Sequence, residues 1–103
     1  SYVPVVTTAN LARAVEELKR REFWVWAADA GGSDCRDAAL AGRTALVLGS
    51  EGAGVSRLLR DRCDGAVRIP TRGHVDSFNV SVACGILLYE VRRQQGLPER
   101  EKT

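Results

Sequence analysis

Two segments of the sequence carry residue types that could bind a ligand and act on it. The first, residues 48–54, follows an apolar run and has the sequence L-G-S-E-G-A-G, which predicts a bend between a strand and a helix. Its three glycines would let the backbone approach a ligand closely. Glu51 in this bend would repel a pyrophosphate and suits a cationic partner, such as a sulfonium, an amine or an arginine. A tight turn without a ligand is the alternative interpretation.

The second segment, residues 69–83, has the sequence I-P-T-R-G-H-V-D-S-F-N-V-S-V-A. Ser77 and Asn79 are residue types that cap helix N-termini, and Asp76 would complement the positive end of the helix that follows. Capping alone could therefore explain all three residues. The helix predicted over residues 77–95 is nearly apolar on all sides for most of its length, which is typical of a helix buried in a core or between subunits.

Strands that alternate with helices must position these segments. The spacing of apolar residues predicts strands at residues 3–7, 23–28, 44–48 and 66–69, and helices at residues 11–18, 55–62 and 77–95. We expect Gly31 and Gly32 to end the second strand, both faces of that strand to be covered, and residues 33–41 to form a loop with one helical turn. This order predicts an α/β three-layer sandwich with a mostly parallel sheet. It also predicts that residues 48–54 and 69–83, which we call the two ligand-binding segments, lie at the ends of adjacent strands.

The composition predicts one globular domain. Of 103 residues, 45% are hydrophobic and 27% are charged, which excludes a disordered chain. We assign residues 1–96 to the domain and residues 97–103 to a charged tail. The net charge of +2 is compatible with RNA binding, although an ordinary mixed-charge surface explains it as well. The chain opens on Ser1, without a methionine and within an apolar run, which predicts a piece of a longer protein.

The cysteine pattern and the hydropathy indicate the cellular setting of the protein. Cys35, Cys63 and Cys84 are odd in number and lack Cys-x-x-Cys spacing, which argues against a disulfide framework and against a zinc site. A reduced, cytoplasmic setting fits this pattern best. No apolar run approaches 18 residues, so we expect no membrane partner.

Together the two ligand-binding segments resemble motifs 2 and 3 of the SpoU (TrmH) class of SPOUT RNA methyltransferases. The residues that carry the resemblance are A-L-V-L-G-S-E-G-x-G followed, after a short spacer, by I-P-x-x-G-x-V-x-S-x-N-V-S-V-A-x-G-I-L-L-Y-E. The upstream P-V-V-x-x-x-N-L-A-R-A-x-E-E-L is similar to the RlmB-like branch, which methylates a guanosine ribose in large-subunit ribosomal RNA. The resemblance covers the chain as far as about Gln95.

The resemblance implies a SPOUT fold with a C-terminal trefoil knot, S-adenosylmethionine bound in that knot, and a homodimer. Carried over residue by residue, the cofactor-binding positions are Leu48, Gly49, Glu51, Gly52, Ile69, Thr71, Ser77, Phe78 and Asn79. An apolar wall at Ile69 and Phe78 suits an adenine ring. The family usually has methionine in place of Thr71 and leucine in place of Phe78, so we expect the shape of the pocket to differ.

The implied reaction methylates a ribose 2′-oxygen, with guanosine in ribosomal RNA as the substrate and without a metal. As catalytic residues, Glu51 is expected to orient the reacting groups, and Ser77 and Asn79 to cap the last helix and place the cofactor or the catalytic side chain. Arg72 and His74, beside the cofactor, are expected to contact the RNA backbone. An ordinary solvated loop histidine is the alternative for His74.

The family's catalytic base is assigned to an arginine of motif 1, in an N-x-G-x-x-x-R pattern that does not occur in this chain. We therefore expect residues 1–103 alone to bind the cofactor weakly and to methylate nothing. Three alternatives stay open: a catalytically incomplete SPOUT-like module that dimerises or binds RNA or cofactor, a tRNA 2′-O-methyltransferase, and a nucleotide- or phosphate-binding α/β domain. The G-x-x-G-x-G order and the carboxylate of Glu51 argue against the last of these.

Overall fold

The computed structural model describes residues 5–6, 10–49, 55–71 and 80–96. In these ranges the elements follow one another as β1 (Val5–Val6), α1 (Leu11–Arg20), β2 (Trp24–Asp34), β3 (Thr44–Val47), α2 (Arg57–Arg62), β4 (Gly65–Arg68) and α3 (Val80–Gln95). The predicted order of strands and helices is therefore confirmed. The predicted start of the last helix, at residue 77, lies outside the described ranges.

The strands form one sheet in the order β1–β3–β2–β4, and the pairings between them are parallel. Trp26 of β2, for example, pairs with Leu46 of β3 on one side and with Gly65 of β4 on the other. The predicted parallel sheet is confirmed. The expectation that the two ligand-binding segments follow adjacent strands is wrong, because β2 lies between β3 and β4.

One face of the sheet is covered by α1 and α2. The helices enclose an apolar cluster with the sheet, and its strand residues alternate along β2 and β3, as the period of a strand requires. The buried members of the cluster are Val15, Phe23, Val25, Ala27, Ala45, Val47, Val55 and Leu59. Asn10 begins α1 as predicted, because its side-chain oxygen accepts a hydrogen bond from the backbone N–H of Arg13 at 3.3 Å. Ser56 caps α2 in the same way through the N–H of Leu59 at 3.2 Å, so this helix begins later than predicted.

The opposite face is covered by α3. The buried members of its cluster come from the segment between β2 and β3, from β3 and the residue after it, from β4 and from α3. They are Cys35, Ala38, Leu40, Leu46, Leu48, Val67, Leu87 and Val91. Leu87 and Val91 are the contributions of α3 and are fully buried. Helices on both faces of a central sheet confirm the predicted three-layer sandwich.

The glycine pair at residues 31–32 does not end β2, contrary to the prediction. β2 leaves its pairing with β4 after Ala28 and resumes it at Ser33, since both of these residues pair with Val67. Residues 29–32 bulge out of the ladder between these two points, and we call them the 29–32 excursion. A glycine pair predicts a turn from local sequence, whereas here pairing with the neighbouring strand restores β2.

Two further expectations about β2 and the segment after it are corrected. Trp24 is 59% exposed, so β2 is not covered on both faces at its start, although Trp26 packs against the cluster beneath α3. The described segment from residue 35 to residue 43 contains a turn instead of a helix, in which Asp37 N donates to the carbonyl of Asp34 at 2.9 Å.

The trefoil knot implied by the resemblance stays a prediction, because the path of residues 72–79 lies outside the described part of the chain. None of the three described helices combines the length and the hydropathy that a membrane-spanning helix requires.

Candidate functional site

The two ligand-binding segments leave the sheet at its carboxyl edge. Strand pairing ends at Val47 in β3 and at Arg68 in β4, and the chain continues directly into residues 48–49 and 69–71. Because the strands are parallel, both exits lie at the same edge, where open α/β sheets bind their ligands. One strand separates the exits, which places them about 10 Å apart, twice the spacing between paired strands. One ligand of nucleoside size can bridge such a separation.

Four residues of the predicted cofactor site are described: Leu48, Gly49, Ile69 and Thr71. Leu48 is buried and Ile69 is half-buried, and both belong to the apolar cluster beneath α3. Gly49 and Thr71 lie beyond the paired residues of β3 and β4. Their peptide groups are therefore placed past the sheet ladder, where they can serve a ligand. An apolar surface bordered by peptide groups is the kind of site that binds a neutral aromatic base.

The other predicted site residues lie outside the described ranges. They are Glu51, Gly52, Arg72, His74, Ser77, Phe78 and Asn79. Their roles in catalysis, cofactor binding and RNA binding stay predictions. Within residues 10–49, 55–71 and 80–96, no group of three or more histidine, cysteine or carboxylate side chains is placed to hold a metal ion.

Three residues at the carboxyl edge were not predicted from the sequence. Arg60 of α2 donates from Nη1 to Oδ2 of Asp29 at 2.8 Å, and this ion pair fixes the 29–32 excursion to the helix. Gly32 brings the excursion against β4, since a Cβ there would lie only 2.5 Å from the carbonyl carbon of Ala66. Arg60 lies 31 positions after Asp29, so no local pattern in the sequence links the helix to the excursion.

The surroundings of Asp34 and Cys63 fix the protonation states of their side chains. The Arg36 guanidinium bonds both carboxylate oxygens of Asp34, at 3.0 and 2.6 Å, and lowers the pKa of Asp34 to about 2. Asp34 is therefore ionised throughout the neutral range. Burial raises the pKa of the Cys63 thiol to about 11, so this thiol stays protonated at neutral pH and does not act as a nucleophile.

A polar cluster anchors α3 to the segment between β2 and β3. Glu90 is only 7% exposed and accepts hydrogen bonds from Nε and Nη2 of Arg93 at 2.8 and 2.9 Å, which lowers the pKa of its carboxyl group. Gln94 donates to Glu90 at 2.6 Å and to the carbonyl of Cys35 at 3.2 Å, and it accepts the N–H of Leu40 at 2.8 Å. These bonds fix the C-terminal half of the helix that follows the second ligand-binding segment.

The chain belongs to the SpoU rRNA methylase family, whose model matches residues 1–89. It is 47% identical over 96 residues to the 23S rRNA (guanosine-2′-O-)-methyltransferase RlmB of Coxiella burnetii, a match that covers 92% of this chain and 38% of that relative. It is 46% identical over 95 residues to a protein of Staphylococcus haemolyticus assigned to the TrmH family of tRNA/rRNA methyltransferases, with 91% and 38% covered. The chain thus spans about 38% of the length of these relatives.

Solved structures of the family share this fold. The TrmH/SpoU tRNA modifying enzyme of A. aeolicus superimposes with a TM-score of 0.73 at 35% identity, over 85% of this chain and 46% of that chain. The SpoU methyltransferase AviRb of Streptomyces viridochromogenes, solved in complex with the cofactor AdoMet, gives a TM-score of 0.71 at 30% identity, over 85% and 36%. The α/β architecture of SpoU methyltransferases and the family's use of S-adenosylmethionine are thereby confirmed.

Proposed function

We propose that the whole protein containing this chain transfers a methyl group from S-adenosylmethionine to a ribose 2′-oxygen of RNA. One observation carries the proposal: Leu48 and Ile69, which directly follow β3 and β4, both pack in the apolar cluster beneath α3. The two segments that resemble motifs 2 and 3 thereby border one site. The similarity to an enzyme named for guanosine-2′-O methylation of 23S rRNA supports guanosine in ribosomal RNA as the substrate, in preference to a tRNA.

Different residues of the site would have different roles in cofactor binding and catalysis. S-adenosylmethionine supplies the methyl group when bound. Ile69, which is only half-buried, would exclude water from one side of its adenosyl group, while the peptide groups of Leu48, Gly49 and Thr71 would meet its polar edge. The other positions implied by the resemblance would complete the site, and they are Glu51, Gly52, Ser77, Phe78 and Asn79. Alignment of the 2′-oxygen and removal of its proton are the remaining requirements of the transfer.

The RNA would approach across the same edge. Arg72 and His74 follow directly from the described end of the second segment, and we assign them to the phosphate backbone. Two exposed arginines border the site from the described residues: Arg57 begins α2, and Arg68 ends β4. Cations beside both segments support a polyanionic substrate. The three cysteines are unpaired, which supports the cytoplasmic setting.

Steady-state methylation kinetics test the proposed function. The natural full-length polypeptide that contains residues 1–103 should transfer labelled methyl groups from S-adenosylmethionine to a ribosomal RNA transcript, and mapping should find a 2′-O-methylated ribose. Glu51→Ala and Asn79→Ala should each lower the rate by at least about tenfold, since each removes a group that orients the reacting atoms. Glu16→Ala, on the exposed surface of α1, is the matched control. Unchanged rates in both site variants would remove the assigned roles.

We also propose that two copies associate through α3. Val82, Ile86 and Tyr89 are exposed and spaced so that they share one face of the helix, with Gly85 between them. A Cβ at Gly85 would meet no atom of the described chain within 4 Å, so the face is open to a second backbone. The homodimer implied by the family resemblance supplies the partner for this face.

The association predicts a specific effect of charge on α3. Ile86→Glu should convert the full-length protein from dimer to monomer in size-exclusion chromatography with light scattering, because a carboxylate would be buried without a partner. Leu58→Glu is the control, since Leu58 is exposed on α2 at the opposite face of the sheet. A dimer that persists in Ile86→Glu would place the interface elsewhere.

A further inference from the structure

The 29–32 excursion is tied to α2 by two hydrogen bonds and is held together by a third within itself. Arg60 donates to the carboxylate of Asp29 at 2.8 Å and to the carbonyl of Gly31 at 3.4 Å. The same carboxylate accepts the N–H of Gly31 at 3.1 Å through its other oxygen. The Arg60 and Asp29 side chains are 39% and 25% exposed, so the ion pair is partly shielded from water. The excursion therefore has a fixed position relative to α2.

The same excursion contacts β4 on its other side. A Cβ at Gly32 would lie 2.5 Å from the carbonyl carbon of Ala66 and 2.6 Å from the nitrogen of Val67, so the backbones are as close as glycine alone permits. α2 is the helix that leaves the first ligand-binding segment, and β4 is the strand that enters the second. The excursion thus contacts the element after one segment and the element before the other.

We propose that Asp29 and Arg60 are positioning residues for the cofactor site, an inference that rests on the proposed function. Their ion pair fixes the distance between the two segments that must contact one adenosyl group. Arg60 lies about one helical turn after Ser56, which caps the start of α2, so the ion pair holds the helix near the end that follows the glycine-rich segment. Neither side chain is required to touch the cofactor.

A second ion pair on α2 provides a matched control. Arg62 bonds Glu16 of α1 at 3.4 Å, with both side chains about half exposed. This pair joins the same helix to a neighbour that leads to neither segment. Loss of either pair should affect stability little, because partly exposed ion pairs contribute little to it. Loss of the Asp29–Arg60 pair alone should affect cofactor binding.

Calorimetry with S-adenosylhomocysteine and thermal melting, both on the natural full-length polypeptide, separate positioning from stability. Asp29→Asn and Arg60→Gln should each weaken binding by about tenfold, equivalent to about 1.4 kcal/mol, while the melting temperature changes by no more than about 2 °C. Arg60→Lys, which keeps the charge beside Asp29, should recover part of the affinity. Glu16→Gln should bind as the wild type does.

Each other outcome overturns a defined claim. If Asp29→Asn and Arg60→Gln bound S-adenosylhomocysteine as tightly as the wild type does, the positioning role alone would be overturned. The same role would fail if weaker binding always accompanied a melting temperature lowered by more than about 5 °C, since the pair would then be structural. A wild-type protein that binds no S-adenosylhomocysteine would overturn the proposed function and this inference together.

Discussion

Replacing Gly32 with alanine is expected to destabilise the protein by about 2–3 kcal/mol, the loss found when a well-packed position is overfilled. The new Cβ would lie 2.5 Å from the carbonyl carbon of Ala66 and 2.6 Å from the nitrogen of Val67. These atoms are backbone atoms of β4, so no side-chain rotation relieves the contact. Thermal melting should show a midpoint lowered by roughly 10 °C or more.

The neighbouring glycine gives the control for this prediction. A Cβ at Gly31 would meet the guanidinium of Arg60, with Nη1 at 3.3 Å, and the end of a flexible side chain can move by that amount. Gly31→Ala should therefore change the free energy of unfolding by no more than about 0.5 kcal/mol. Equal melting temperatures for the two alanine variants would contradict the close approach of the excursion to β4.

Local sequence predicted the layers of the fold but not the path of β2. The alternation of apolar strands with amphipathic segments is a local signal, and it identified the parallel sheet with helices on both faces. The glycine pair at residues 31–32 gave an equally clear local signal for a turn. Whether a strand resumes after such a pair depends on its pairing with β4, which is distant in sequence. The exposure of Trp24 likewise depends on where α3 ends.

The residues of the candidate site also fall into those that a local motif predicts and those that only the fold brings together. Residues that form a continuous motif, such as Leu48 with Gly49, could be assigned to the candidate site from their order and spacing, and Leu48 packs in the same apolar cluster as Ile69. The order of strands could not be assigned, because a crossover connection allows more than one neighbour for β3. The ion pair of Asp29 and Arg60 was not predicted, because no spacing pattern in the sequence indicates a contact between residues 31 positions apart.

The attachment of α3 links the second ligand-binding segment to the core. Few residues of the helix are buried, and the largest of the apolar ones is Leu87, which packs into the cluster that also contains Leu48. The polar bonds of Gln94 act further along the helix, at its C-terminal end. Leu87 is therefore the main apolar anchor of α3 among the described residues.

Truncating that packing residue is expected to have an effect as large as the change at Gly32. Leu87→Ala should lower the free energy of unfolding by about 2–5 kcal/mol, because it removes buried methyl groups and leaves a cavity between α3 and the sheet. Denaturant unfolding of the full-length protein should measure the loss as a lower midpoint. Cofactor affinity should fall as well, since α3 follows directly from the segment that ends the site.

Leu58→Ala is the matched truncation, because Leu58 is a leucine on a helix with most of its surface in water. It should change the free energy of unfolding by no more than about 0.5 kcal/mol. If Leu87→Ala unfolded at the same denaturant concentration as Leu58→Ala, α3 would not be packed on the sheet as described. If Leu87→Ala lost stability but kept the wild-type affinity for S-adenosylhomocysteine, the position of the second segment would depend on its own contacts and not on the docking of α3.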